Sequence, residues 1–276
     1  MRLFQAEWLK LRRSNVIGVI IGFPLLTVVL IALLQMFIVH VAQSPPVHPR
    51  VHFTAAQIAA QDAARAKIVA AAWSWKLLFS LSLRVWAIFM FPIMAMAVAT
   101  IVSQAEHSTR AWSYALSLRT AWWQVYGAKA IFILLAVAGS AGLLGLMLLG
   151  AGEIHTVSGH PYNDSADVRE LFTNVGLVLM GGFWMVALQA WAGLRFQSMI
   201  PLVMLSAGLI VIEIAGMIAA PMIGPEKDWM MFIPSITPYA TLSHVDAWVN
   251  AKWVGLTGGG ICLGLMILHL SRREVP

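Results

Sequence analysis

Charged residues make up only 11% of this 276-residue chain, less than half the quarter usual in a soluble domain. So little charge excludes a freely soluble fold. There is one cysteine, Cys262, inside an apolar run, which leaves no disulfide framework and no thiolate metal cluster and gives the residue a packing role. The sequence lacks a Gly-x-x-x-x-Gly-Lys phosphate loop and a Gly-x-Gly-x-x-Gly opening a helix, so the chain is not expected to bind and hydrolyse ATP by itself. It also lacks His-Glu-x-x-His, and its eight histidines are scattered. His155 and His160, with Glu153 and Asp164, read either as a metal group or as a solvated loop. No nucleophile elbow surrounds Ser158 and Gly159, and no fixed-period repeat is visible.

In place of charge there are apolar runs: 60% of the residues are hydrophobic. Six stretches, at 16–42, 85–102, 130–152, 171–194, 198–223 and 253–270, each reach about 18 residues, enough at about 1.5 Å per residue to cross a hydrocarbon core about 30 Å thick. The expected fold is therefore all-α, one polytopic domain over residues 1–276 with six transmembrane helices. The first stretch is too long for a signal-peptide core and reads as a retained anchor.

The formal net charge is +6, yet the cations stand beside apolar stretches, as topology determinants do; a nucleic-acid partner is not expected. Arg2, Lys10, Arg12 and Arg13 precede the first span. Arg110, Arg119 and Lys129 fall between the second and third, Arg195 follows the fourth, and Arg272 and Arg273 follow the sixth. That side is expected to be cytoplasmic, with both termini on it. Arg50, Arg65, Lys67, Lys76 and Arg84 are assigned to the first external segment.

Connecting segments carry further expectations. Residues 1–15 mix Leu3, Phe4, Trp8 and Leu9 with Glu7, Lys10 and Arg12, the make-up of a helix lying in the headgroup plane or of a frayed positive flank. Residues 43–84 open on Pro45, Pro46 and Pro49 and turn alanine-rich from Thr54 to Ala72, predicting an external helix that leads into the second span. Residues 104–124 form an amphipathic cytoplasmic connection, with Trp112, Leu116 and Leu118 among Glu106, His107, Thr109, Arg110 and Ser117. Such a segment can dock on a soluble partner while Trp122, Trp123 and Tyr126 hold it at the interface. Residues 221–251, broken by Pro221, Gly224, Pro225, Pro234 and Pro238 but still apolar, are expected to re-enter the outer leaflet as two short helices.

Inside the spans one formal charge stands out, Glu213. An intramembrane carboxylate marks a functional site facing a cavity or partner, or else a protonated group hydrogen-bonded within the bundle. Gln35 and Gln189 read as interhelical hydrogen-bond partners. Most tryptophans map near span ends as an interfacial belt. Trp184 and Trp191, two turns apart in the fourth span, either line a cavity or pack against lipid. Gly139, Gly142 and Gly145 in the third span, and Gly258, Gly259, Gly260 and Gly264 in the sixth, form small-residue faces suited to close packing.

The run Glu7-Trp8-Leu9-Lys10-Leu11-Arg12-Arg13-Ser14, the run Glu106-His107-Ser108-Thr109-Arg110 followed by Leu116-Ser117-Leu118-Arg119 and Lys129, and the closing Arg272-Arg273-Glu274-Val275 together resemble the six-span permease subunit of type-2 ATP-binding-cassette exporters. Within them the chain resembles the branch protecting bacteria against bacitracin and lantibiotic peptides. The resemblance implies a bacterial inner-membrane permease exporting an amphipathic substrate, an antimicrobial peptide, lipid-like molecule or drug. It implies two copies of a soluble ATPase carrying ATP and Mg, a second permease chain forming a homodimer or heterodimer, and no cofactor on this chain. Glu106, His107, Thr109, Arg110, Leu116 and Ser117 would couple to the ATPase, with Glu7 and Lys10 in support; Glu213, Gln189, Trp184 and Trp191 are the substrate-cavity candidates. Arg119-Thr120 departs from the family, whose members often have a proline after the Leu-Ser-Leu element. The rival readings are a proton-driven carrier using Glu213, a lipid-acting enzyme and a structural scaffold.

Overall fold

Six helices long and apolar enough to span a membrane stand among the described residues, and no strand does. The computed structural model describes residues 15–44, 54–107, 122–158, 162–196, 198–223, 230, 232–242 and 250–271. The spanning helices are α1 (Val16–Gln43), a composite of α3 (Trp75–Val85) and α4 (Phe91–His107), α5 (Trp122–Val157), α6 (Val168–Arg195), α7 (Ile200–Ile223) and α9 (Ala251–Ser271). Two do not span: α2 (Ala55–Ala72) and the one-turn α8 (Ile236–Ala240). Crossing alternately, the six spans bring the described ends, Asn15 and Ser271, to one face, called proximal here. The distal face carries the end of α1, the α2–α3 junction and the end of α5.

Local chemistry sets the helix starts. Thr54 and Gln57 form a reciprocal capping box that opens α2 as the alanine-rich run predicts. Ser74 caps α3 by accepting from the Leu77 N–H, and Asp164 adds a long-range cap, its two carboxylate oxygens accepting from the N–H groups of Trp75 at 2.6 Å and Lys76 at 3.2 Å. Asp167 caps α6 through the Glu170 N–H.

The double cap on α3 explains a correction. The second span begins at Trp75, not at residue 85, so Lys76 and Arg84 belong to a spanning helix and the connection before it is shorter than the expected residues 43–84. The third span likewise starts at Trp123 rather than 130, and Lys129, expected in a connecting loop, is a buried helical residue 1% exposed. In the last connection α7 runs to Ile223 and one short helix, α8, is described; the expected re-entry of residues 221–251 as two short helices falls largely outside the described residues.

Between α3 and α4 the chain widens into a π turn, Trp86–Met90, closed by the Phe91 N–H donating to the Trp86 carbonyl. Pro92 follows immediately. It has no N–H to donate back along the helix, and a wide turn is where its ring is accommodated without breaking the span.

Two aromatic groups bracket the bundle. Distally, Trp73 packs on His155 with ring centroids 4.3 Å apart, and Trp75 on Tyr162 at 4.8 Å. Burial pushes the Tyr162 hydroxyl above its usual range, against a hydrogen bond from Gln35 and with the Asp164 carboxylate adding to the rise. Proximally, Trp123 is exposed and Tyr126 buried. Gly152, beside Trp75, lies about 44 Å along α5 from Trp123 at 1.5 Å per residue, which matches the 40–45 Å of a bilayer with its headgroups.

Helices in lipid gain nothing by hiding apolar surface from one another, so close approach depends on small residues. The closest is between α6 and α9. A Cβ on Gly255 would meet the Gly181 backbone, and one on Gly258 would lie 2.6 Å from the Trp184 ring. Gly259 presses on Phe183 in the same way, whereas Gly260 and Gly264 have open space. In α5 the expected face is not used within this chain: Gly139 and Gly142 meet nothing, and only Gly145 approaches a neighbour, Phe172 at 3.0 Å.

Replacing Gly255 by Val is expected to force α6 and α9 apart at a cost of about 1–3 kcal/mol, more than the gain of under about 1 kcal/mol from removing a helical glycine. Gly260→Val, on the open side of the same helix, should change stability by less than about 0.5 kcal/mol. Thermal melting of the detergent-solubilised variants measures this; equal midpoints for the two would contradict the packing described.

Candidate functional site

Gln189 is the polar centre of the bundle. Fully buried on α6, its amide Nε2 donates to the Pro92 carbonyl at 3.1 Å and to the Ser206 hydroxyl at 3.0 Å, tying α6 to α4 and α7. Gln35 makes a comparable tie on α1, donating to the Ala72 carbonyl at 3.2 Å. Ser206 and Glu213 are two turns apart on α7, so they share a face.

Glu213 is 0% exposed and neither of its carboxyl oxygens has a hydrogen-bond partner. It lies about 10 Å distal of Ser206, and Trp86 lies about 9 Å distal of Pro92, counting 1.5 Å per residue from the shared Gln189. Both therefore sit at one depth, on elements in contact. One turn beyond Glu213, Gly216 approaches Ile236 and Met230. The buried side-chain atoms left unpartnered among the described residues are Trp86 Nε1, Gln189 Oε1, both Glu213 oxygens and Ser235 Oγ. They fall on the π turn, α6, α7 and the start of α8, which pack together. An apolar bundle thus carries a column of unsatisfied polar groups from Gln189 towards its distal end. Such groups are costly in hydrocarbon, and a column of them is where water, a proton or a polar part of a cargo can be held.

Trp184 and Trp191 do not join that column. They line a lateral cavity of about 660 Å³ between α6 and α9, with Phe232, Thr257, Cys262 and His269 among its walls. Trp191 makes an edge contact with His269 at 6.2 Å. This volume is in the range of small-molecule pockets and the walls are mainly apolar. The four substrate-cavity residues singled out in the sequence are therefore divided by the structure: Gln189 and Glu213 inside the bundle, Trp184 and Trp191 on its flank.

The other candidates are placed as follows. Glu106 and His107 stand on the last turn of α4. Thr109, Arg110, Leu116 and Ser117, and with them Glu7 and Lys10, lie outside the described residues. His155 packs between Trp73 and Tyr162 and Asp164 caps α3; among the described residues no three possible metal ligands come together, and His160 lies outside them. What the sequence did not disclose is Arg84: placed on the span, it lines a second, distal cavity with Glu170 and Asn174. Its only sequence signal is the spacing Lys76, Ser80, Arg84, four residues apart along one helix face. Compared with family models, curated proteins and solved structures, the chain matches none.

Gln189→Leu removes two hydrogen bonds and strands the Pro92 carbonyl and Ser206, and is expected to destabilise the protein by about 1 kcal/mol. Glu213→Met removes a buried carboxyl that makes no bond, so its melting midpoint in detergent should equal or exceed that of the parent. A fall for Glu213→Met as large as that for Gln189→Leu would mean that Glu213 has a structural partner.

Proposed function

We propose that this multi-pass membrane protein is the permease subunit of an ATP-driven exporter of the type-2 ATP-binding-cassette kind. The observation that supports it most is at the proximal end. The composite span of α3 and α4 ends there at His107, and α5 begins at Trp122, next to the exposed Trp123. Two long helices, about 50 Å and 54 Å at 1.5 Å per residue, thus flank the connection 108–121, whose sequence is amphipathic. In this reading that connection is the coupling segment, the proximal face is cytoplasmic and the membrane is the bacterial inner membrane. Glu106, His107, Thr109, Arg110, Leu116 and Ser117 seat on a soluble ATPase, which holds ATP and Mg, while Glu7 and Lys10 lean on it from the amino terminus.

A six-span bundle is small for enclosing a bulky molecule, so two permease chains act with two ATPases. Nucleotide-driven approach of the ATPases is passed through α4 and α5 and expels an amphipathic cargo from the membrane. The flank cavity of Trp184 and Trp191 receives the cargo: its walls are apolar, it opens sideways where lipid would stand, and it suits a peptide, drug or lipid-like molecule better than an ion. A second reading, a proton-driven carrier, is favoured by the unpartnered Glu213 carboxyl in the polar column; there Glu213 takes and releases the proton while Gln189 and Ser206 hold the adjoining helices.

Affinity purification of the tagged chain in mild detergent is expected to bring down a soluble ATPase in comparable amount, and joint substitution of Glu106 and Arg110 by Ala to release it. Transport by the purified chain without any ATPase would overturn the reading. Glu213→Gln separates the two mechanisms: an ATP-driven exporter keeps its nucleotide dependence, whereas a proton carrier loses coupling to the gradient.

A further inference from the structure

The distal cavity of about 320 Å³ is lined by two polar stripes. Lys76, Ser80 and Arg84 recur every four residues along α3, and Glu170 and Asn174 line the cavity with them from the first turns of α6, together with Thr241. Between the polar groups the walls are apolar, Phe79, Leu83, Leu171 and Leu177. Lys76 and Arg84 against Glu170 leave one positive charge in excess. No ion pair among the described residues joins either cation to Glu170.

Depth is what makes this pairing informative. Arg84 lies nine residues, about 13 Å, along α3 from Trp75 in the distal aromatic group. The headgroup layer is only about 5–7 Å thick on each side, so the Arg84 backbone lies below it, at the level of the upper acyl chains. An arginine at that depth turns its guanidinium towards the headgroups and takes an anionic partner. The planar fork of the guanidinium matches two phosphate oxygens, and Lys76, two turns nearer the surface, adds a point charge on the same face.

We infer that Lys76 and Arg84 hold the phosphodiester of a membrane lipid of the distal leaflet, with Glu170 and Asn174 accepting from the hydroxyl or ammonium of its headgroup and the apolar walls covering the glycerol and upper chains. The inference is independent of the transport reading: an exporter, a carrier or a scaffold could hold such a lipid, and failure of either claim leaves the other standing.

The test is native mass spectrometry of the full chain in delipidating detergent, titrated with phosphatidylglycerol, phosphatidylethanolamine and diacylglycerol. Both phospholipids are expected to add one molecule per chain, and diacylglycerol, which lacks the phosphate, to add none. Arg84→Gln should weaken retention about tenfold and Lys76→Gln about threefold, while Arg84→Lys, which keeps the charge but not the fork, should fall between the parent and Arg84→Gln. If Arg84→Gln fails to fold, Lys76→Gln combined with Asn174→Leu makes the same test from the rim. Equal retention of phosphatidylglycerol by parent and variants overturns the proposal. So does Arg84-dependent binding of millimolar inorganic phosphate with no uptake of either phospholipid, which would mark a site for free anions.

Discussion

Hydrocarbon offers a peptide group no hydrogen-bond partner, and every other feature of this protein follows from that constraint. It forces the apolar runs into helices whose backbones satisfy themselves. It also removes the usual reason for helices to associate, since lipid tails are as apolar as leucine. What remains is contact at short range, and α6 with α9 shows how far it goes: Gly181 and Gly255 bring two backbones together where any side chain would intervene. The π turn before Pro92 is the same constraint at a single residue. There the missing N–H is absorbed by widening the helix, and the Pro92 carbonyl becomes an acceptor for Gln189.

Against that background each polar group in the spans has to be accounted for separately. Gln189 is accounted for by two acceptors on two neighbouring helices. Arg84 is accounted for by position, near enough to the distal headgroups to reach them along a polar face. Glu213 has neither remedy: it is buried and unpaired on α7, which packs against the π turn and α8. The three lie within a few turns of one another in depth, so the distal half of the bundle carries most of its unresolved polarity. At the proximal end α4 and α5 flank residues 108–121.

Much of this was legible in the sequence. Six apolar runs separated by proline, glycine and charge determine the number of spans, and the alanine-rich run from Thr54 to Ala72 marks α2. The span ends were not legible where a distant residue sets them. Nothing near Trp75 says that Asp164, far along the chain, caps α3, so Lys76 and Arg84 read as loop cations. Lys129 misled for another reason: a lysine ordinarily marks a helix end, and this one is buried in the helix. The glycine faces were visible as composition but not as contact. Gly258 and Gly259 meet a partner helix, while Gly139 and Gly142 meet nothing in this chain. Of the candidate site, Glu213 and Gln189 stood out because polar residues are rare in spans. The distal cavity did not, because it needs α3 and α6 side by side.

The central claim is that the connection between α4 and α5 seats on an ATPase. A photoreactive amino acid placed at Leu116 and activated in intact native membranes tests it most directly. The account predicts a single cross-linked product with a soluble nucleotide-binding protein, formed in a yield that changes when the nucleotide is trapped on that protein. Cross-links confined to lipid or to the chain itself, unchanged by nucleotide, would contradict it.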